Sequence, residues 1–278
     1  MLETALNWSA KDGLEFSGTI WRPEEQAVAT VYLVHGFGEH HGRYQEMAEL
    51  FVQSGFSVAA YDQRGHGKSG GPRGHTPDYE TMLADLRQFL ELAEIQTEGP
   101  QFLYGHSFGG GLVLNYLLRE KPDLDGAVVS SPLIEPAFKP SSWKSGLAKG
   151  FSRLFPAVSV DPGIDPKGMS RDPREVEQYE TDELNHHRIS LKLASAIFES
   201  GSYILENAGE LNLPLLLMHG DADPVTSCES SKEFAAKVGS LCEIRIWEEC
   251  LHELHHEVNR EEVMNWALSW MKDRIKAQ

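Results

Sequence analysis

The sequence predicts an α/β protein: a mostly parallel sheet with helices on both faces, interrupted by a helical insertion. Three observations carry this. Short, near-continuous apolar runs recur along the chain, the mark of strands buried on both faces. Stretches with apolar residues at helical spacing separate them, and parallel neighbours need such crossovers. Between about residues 132 and 208 the rhythm breaks: helical stretches continue, but no convincing strand does.

The elements follow in order. "LNWSAKDGLEFSGTIWRP" alternates around a Lys-Asp-Gly turn and reads as an antiparallel hairpin at a sheet edge. "TVYLVHG" (30–36) is a run of β-formers ending in Gly. "RYQEMAELFVQSG" is a helix closing on Gly55. "SVAAYDQRG" (57–65) is a strand, and "DYETMLADLRQFLELAEIQ" is the helix after it. "PQFLYGHS" (100–107), the apolar helix "LVLNYLLRE" and "DGAVVSS" (125–131) continue the pattern. Beyond the break, "PLLLMHGDAD" (214–223) and "CEIRIWEE" (242–249) supply further strands. The expected organisation is a core in two parts, 1–131 and 209–278, with a helical cap, 132–208, inserted between them.

Size and composition agree. The 278 residues suit one large domain carrying an insertion, and 41% hydrophobic residues can form a core. With 25 Lys+Arg against 42 Asp+Glu, the net charge is −17. Such a chain repels phosphate backbones, so nucleic acid is set aside as a partner. "MLETALNWSAKDGLEF" lacks a basic start followed by an apolar run, so no signal peptide is expected. No stretch approaches the roughly 18 consecutive apolar residues of a membrane span. Cys228, Cys242 and Cys250 form no C-x-x-C pair; an odd, sparse set suits ordinary thiols in a reducing cytoplasm.

The most specific chemical signal is "LYGHSFGG". Gly105-His106-Ser107-Phe108-Gly109 fits G-x-S-x-G between a strand and a helix. A serine at such a turn sits on strained backbone, and the helix N-terminus behind it aims free N–H groups at the site. The alternative is a glycine-rich turn with a bystander serine. A nucleophilic serine needs a base, and the base needs an orienting acid. On a hydrolase sheet of this kind the order is Ser, acid, His. "LLLMHGDADPV" offers Asp221 and Asp223. Asp223 is favoured, because it lies past Gly220 and before Pro224, where the chain has left the strand. Asp221 is the candidate for turn hydrogen bonding. An oxyanion hole needs two backbone donors. Phe108 follows the serine, and Phe37 sits in the "HGFGEH" loop after an early strand. His35 and His106 are expected to be structural, bonding backbone in their turns.

The base is drawn from "EECLHELHHEVNREEV", which also contains H-E-x-x-H, the zinc-protease string. Two features oppose zinc. No Gly or His continues the motif after His256, and no Glu follows Glu262 to serve as a third ligand. The strand-like "CEIRIWEE" ends just before, so His252 lies in a strand-to-helix loop. His252 is therefore preferred over His255 and His256, which become bystanders near the helix start.

Together these residues make the chain resemble the monoacylglycerol lipase / lysophospholipase branch of the α/β-hydrolase superfamily, the serine aminopeptidase S33-like hydrolases. The carriers are "HGFGEHHGRY", "YDQRGHGKSGGPRGH", "GHSFGG", "HGDADPV" and "LHELHHE". The pairing of H-G-x-G-E-H-x-x-R-Y with D-x-R-G-H-G-x-S-x-G is more specific than G-x-S-x-G alone. The resemblance implies an α/β-hydrolase fold with an eight-stranded sheet. It implies Ser107 as nucleophile, Asp223 as acid, His252 as base and Phe37 as oxyanion donor, where many relatives have a smaller residue. It makes Glu253 a family feature. It implies a monoacylglycerol-type lipid ester as substrate and no metal or organic cofactor. Lysophospholipase and acyltransferase activity on the same triad are the near alternatives; a non-catalytic binding module is a distant one.

The cap departs more from the family, although Asp182-Glu183-Leu184 stands where relatives often read D-P-L. In "SSWKSGLAKGFSRLF", Trp143, Leu147, Phe151 and Leu154 fall on one helical face, with Lys144, Lys149 and Arg153 interleaved. Such a helix could dock transiently at a lipid surface. Alternatively its apolar face covers the acyl pocket, a reading favoured by Gly146 and Gly150, which weaken an isolated helix.

Overall fold

A computed structural model describes residues 1–138 and 156–275. Eight strands form the main sheet: β1 (Leu2–Ala5), β2 (Gly18–Arg22), β3 (Ala29–Val34), β4 (Phe56–Tyr61), β5 (Gln101–His106), β6 (Gly126–Ser130), β7 (Leu215–Gly220) and β8 (Cys242–Trp247). Their order across the sheet is β1-β2-β4-β3-β5-β6-β7-β8. β2 is antiparallel to both its neighbours, and β4 through β8 pair in parallel. This is the α/β-hydrolase fold. The N-terminal hairpin forms at its Lys-Asp-Gly turn, with Gly13 at φ +81°, but its arms Trp8–Ser9 and Glu15–Phe16 make a separate ribbon. The sheet edge is made by β1 and β2 on either side of it.

The helices are α1 (Gln45–Gln53), α2 (Tyr79–Glu94), α3 (Ser107–Glu120), α4 (Pro173–Thr181), α5 (Leu191–Asn207), α6 (Cys228–Val238) and α7 (Arg260–Ile275). Strand side chains alternate between two apolar layers, as the pleat requires. Tyr32, Val34, Leu215 and Leu217 face one layer, with Phe89 of α2, Leu112 of α3, Ile197 of α5 and Phe234 of α6. Val31, Leu33, Leu216 and Met218 face the other, with Phe51 of α1 and Leu268 and Met271 of α7. The continuous apolar runs thus reflect burial on both faces. Several helices start on capping side chains: Asp78 accepts from Thr81 N at 2.7 Å, Ser190 from Leu193 N at 3.1 Å, and Ser227 from Ser230 N at 3.1 Å.

Within 132–208 the described residues form α4, α5 and one short ribbon, Ser159–Val160 against Ile189–Ser190, where no strand was expected. α5 packs on α3 through a buried polar chain. Asn115 Nδ2 donates to Ser200 Oγ (2.8 Å), which donates to Tyr79 OH (2.8 Å). Trp143, Leu147 and Phe151 lie outside the described residues. Among the described residues, no helix is long and apolar enough to cross a membrane.

Candidate active site

The carboxyl ends of β3, β5 and β7, and the loop after β8, converge on Ser107. Ser107 opens α3 with φ +52°, a conformation L side chains rarely adopt. The turn is possible because the packing behind it is backbone on backbone. A Cβ on Gly109 would lie 2.3 Å from His35 O. Leu133 N, in the loop after β6, donates to Ser107 O at 2.8 Å and fixes the elbow.

Two short contacts run from the serine. His252 Nε2 lies 2.8 Å from Ser107 Oγ, and His252 Nδ1 lies 2.8 Å from Asp223 Oδ2. The loops of Asp223 and His252 approach closely because Gly220 ends β7: a Cβ there would lie 2.2 Å from Cys250 O. Asp223 Oδ1 accepts Val225 N (2.7 Å) and Thr226 N (3.1 Å). Its Oδ2 also accepts Thr226 Oγ1 (2.8 Å) and His219 Nε2 (3.0 Å). Asp221 points elsewhere, accepting Glu249 N at 2.7 Å as a turn residue.

Electrostatics follow from this packing. Burial opposes ionisation of Asp223, but the charge of His252 and bonds from His219 and His252 outweigh it, holding the carboxyl well below its ordinary range. Burial likewise opposes charge on His252, but the adjacent Asp223 carboxylate prevails and raises its pKa above the ordinary 6.5.

Phe37 and Phe108 flank the serine. Phe108 is the second residue of α3, so its N–H belongs to the helix's unpaired first turn. The two rings meet edge to face at 6.0 Å. Phe37 follows Gly36, whose N–H donates to Glu39 Oε1 at 2.6 Å; Tyr44 OH donates to the same oxygen at 2.7 Å. Arg43 joins this loop to the loop of His252, donating to Glu39 Oε2 (2.9 Å) and to both oxygens of Glu253 (2.7 and 2.8 Å). Glu253 is therefore an ion-pair partner beside His252. From the insertion, Ile164, Met169 and Tyr179 line the space over Ser107, with Phe37, Val225 and His252.

Residues 252–256 form a loop and a short 3-10 turn, not an α-helix. His252 points to Ser107, while His256 Nδ1 lies 3.0 Å from Glu175 Oε2, so the two do not share a helical face as a zinc protease requires. His255 stacks on Tyr44 at 4.5 Å. His35 bonds backbone as expected, through Gly36 O (2.7 Å) and Gln63 N (2.9 Å). His106 departs from expectation: its Nδ1 finds no hydrogen-bond partner among the described residues, and its ring packs on His252 (4.9 Å) and His255 (4.7 Å). Sequence reasoning passed over His219, Thr226, Glu39 and Arg43. The available signal was a histidine inside the buried strand "LLLMHG", since a buried polar group needs a partner.

Residues 25–259 match the family described as "Serine aminopeptidase, S33". The chain belongs to this family. Within it, the chain falls in the monoacylglycerol-lipase branch of the α/β-hydrolases. It is 31% identical over 266 residues to a monoacylglycerol lipase of Mycolicibacterium smegmatis, covering 95% of each protein. It is 38% identical over 279 residues to an uncharacterized abhydrolase domain-containing protein of Dictyostelium discoideum; that match takes in 99% of this chain and 30% of that protein. The crystal structure of Paleococcus ferrophilus monoacylglycerol lipase superimposes with a TM-score of 0.83 at 33% identity, covering 99% of this chain and 100% of that one.

Proposed function

We propose that this family member is a serine hydrolase that cleaves the carboxylic ester of monoacylglycerol-type lipids, with Ser107 as nucleophile, His252 as general base and Asp223 as its orienting acid. One observation carries the assignment: the two 2.8 Å contacts that run from Ser107 Oγ through His252 to Asp223 at a strained strand-to-helix elbow. The substrate class rests on the likeness to monoacylglycerol lipases.

The chemistry follows from the geometry. His252 Nε2 takes the Ser107 proton as Oγ attacks the acyl carbonyl. Backbone N–H groups of Phe37 and Phe108 stabilise the resulting oxyanion, which needs no reorganisation of the site. His252 then gives the proton to the leaving alcohol, and the acyl-enzyme remains. Water attacks next, with the same histidine as base. Asp223 holds the imidazole tautomer and stabilises the imidazolium throughout.

Residues 132–208 are assigned as a cap over the core parts 1–131 and 209–278, on the ground that Ile164, Met169 and Tyr179 close over the serine. In this reading the cap bounds the acyl pocket and touches lipid surfaces transiently. A cytoplasmic setting is supported by three free thiols.

The test is fatty-acid release from monoacylglycerol, di- and triacylglycerol, lysophosphatidylcholine and a short-chain ester, for wild type and Ser107→Ala. Monoacylglycerol turnover that falls at least about a thousandfold in the variant is expected. Preference for the lysophospholipid would overturn the substrate class and keep the triad. Activity surviving in Ser107→Ala would overturn the nucleophile.

A further inference from the structure

Asp223 is held by two histidines, and only one of them faces the serine. His219 stands at the end of β7, fully buried. Its Nε2 is 3.0 Å from Asp223 Oδ2, the same oxygen that lies 2.8 Å from His252 Nδ1. Its Nδ1 is 2.8 Å from Ser231 Oγ, and Ser231 is itself fully buried on α6. With Ser231 Oγ–H donating to Nδ1, the His219 proton sits on Nε2 and donates to the carboxylate. Nothing in the hydrolytic cycle above uses either residue. Burying a histidine between a hydroxyl and a carboxylate is costly unless both bonds are made, and here both are made.

We propose that His219 is a positioning residue for the base: Ser231 sets its tautomer, and its Nε2–H holds the Asp223 oxygen that His252 uses. Ser231, His219, Asp223, His252 and Ser107 then form one hydrogen-bonded chain from α6 to the nucleophile. This rests on the triad reading. Two effects follow. First, the carboxylate is held on a side its backbone contacts do not reach, because Val225 and Thr226 N–H groups bind the other oxygen. Second, the extra donor spreads the carboxylate charge, so His252 is pulled less strongly toward its protonated form. Removing the donor should make His252 harder to deprotonate and move the acid limb of activity to higher pH. The other charged or titratable groups around His252 are His106 from β5, Glu39 and Arg43 from the loop after β3, and Glu253 beside it. None of them contacts His219, so they stay constant through the comparison.

The experiment compares His219→Leu with His219→Gln. Both roughly preserve volume, and only glutamine keeps an N–H in reach of Asp223 and a carbonyl in reach of Ser231. Two readouts are taken from pH 5 to 9: kcat/KM on a p-nitrophenyl ester, and the rate of Ser107 labelling by a fluorophosphonate. Expected for His219→Leu are a plateau roughly tenfold or more lower and an acid limb shifted up by about half a unit or more. His219→Gln should restore both toward wild type. Ser231→Ala, the milder change, should shift the limb in the same direction by less, and it serves if His219→Leu fails to fold. Superimposable profiles for the leucine and glutamine variants overturn the proposal, as does an unshifted limb in both His219→Leu and Ser231→Ala. Fluorophosphonate labelling that persists in Ser107→Ala would instead overturn the triad itself.

Discussion

Arg43 grips Glu253 through two parallel hydrogen bonds of 2.7 and 2.8 Å, across 210 positions of sequence. Both side chains are almost wholly removed from water. The pair clamps the loop that carries Phe37 to the loop that carries His252. Removing one partner leaves an uncompensated buried charge, which costs about 3–5 kcal/mol. Arg43→Met is therefore expected to lower unfolding free energy by roughly that amount in urea titration. Arg43→Met combined with Glu253→Gln should cost less than the sum of the two single changes. A strictly additive double variant would show that the pair does not act as a unit.

Ser107 keeps its positive φ whatever its side chain does. Alanine there retains the strain, and glycine releases it. Of two inactive variants, Ser107→Gly should therefore be more stable than Ser107→Ala, by about 1 kcal/mol. Thermal melts of the two proteins test this, and equal midpoints would mean the elbow stores no strain.

Gly220 has no room for a methyl group, because backbone oxygens of Cys250 and Leu251 occupy it. Gly220→Ala must push the acid loop from the base loop. A 1 Å displacement is enough to cost about a hundredfold in rate. The expected result is a fall in kcat of that order with smaller change in KM. Wild-type turnover in a folded variant would contradict the geometry.

Acid should destabilise the protein before its carboxylates titrate. Burial first, then neighbouring charges, holds His66, His106 and His255 well below the ordinary 6.5, with His35 pushed down to about 3 and His186 to about 4. These groups stay neutral when folded and take up protons on unfolding. Their contribution is complete above 6.5 and is lost as pH falls below it toward the folded values. His252 is shifted the other way and opposes them singly. Each neutral histidine can cost up to about 1.4 kcal/mol per pH unit below 6.5. The melting temperature should drop on the order of 10 °C between pH 7.5 and 5.5. A flat profile would mean these rings are hydrated. In the proposed cycle activity needs neutral His252, so its raised pKa is expected to place the acid half-point of kcat/KM above 6.5.

The sheet was legible because its strands are buried on both faces: runs such as "TVYLVHG" and "PLLLMHG" have no other reading between helices. Ser107 was legible because an elbow needs glycines at fixed offsets. His252 and Asp223 came from chain order and neighbouring turn residues. The Arg43–Glu253 pair was not legible, because nothing local to either residue names a partner in a distant loop. His219 was read as part of a strand, since periodicity reports burial and not what a buried polar atom bonds to. The hairpin and its turn were right, but its place was not: the two-residue arms pair with each other in a separate ribbon, and not at the edge of the main sheet.

The segment 132–208 does more than line the space over Ser107. His186 N donates to Gly38 O (2.8 Å), His40 Nε2 meets Asp182 Oδ2 at 2.8 Å, and Glu253 N donates to Met169 O (2.7 Å). It is stitched to the loop of Phe37 and to the loop of His252. A graft exchanging this segment between relatives would carry away anchors of both loops, so selectivity and turnover are inherited together. Chimaeras should recover speed only when residues 35–44 and 251–257 travel with their own insertion.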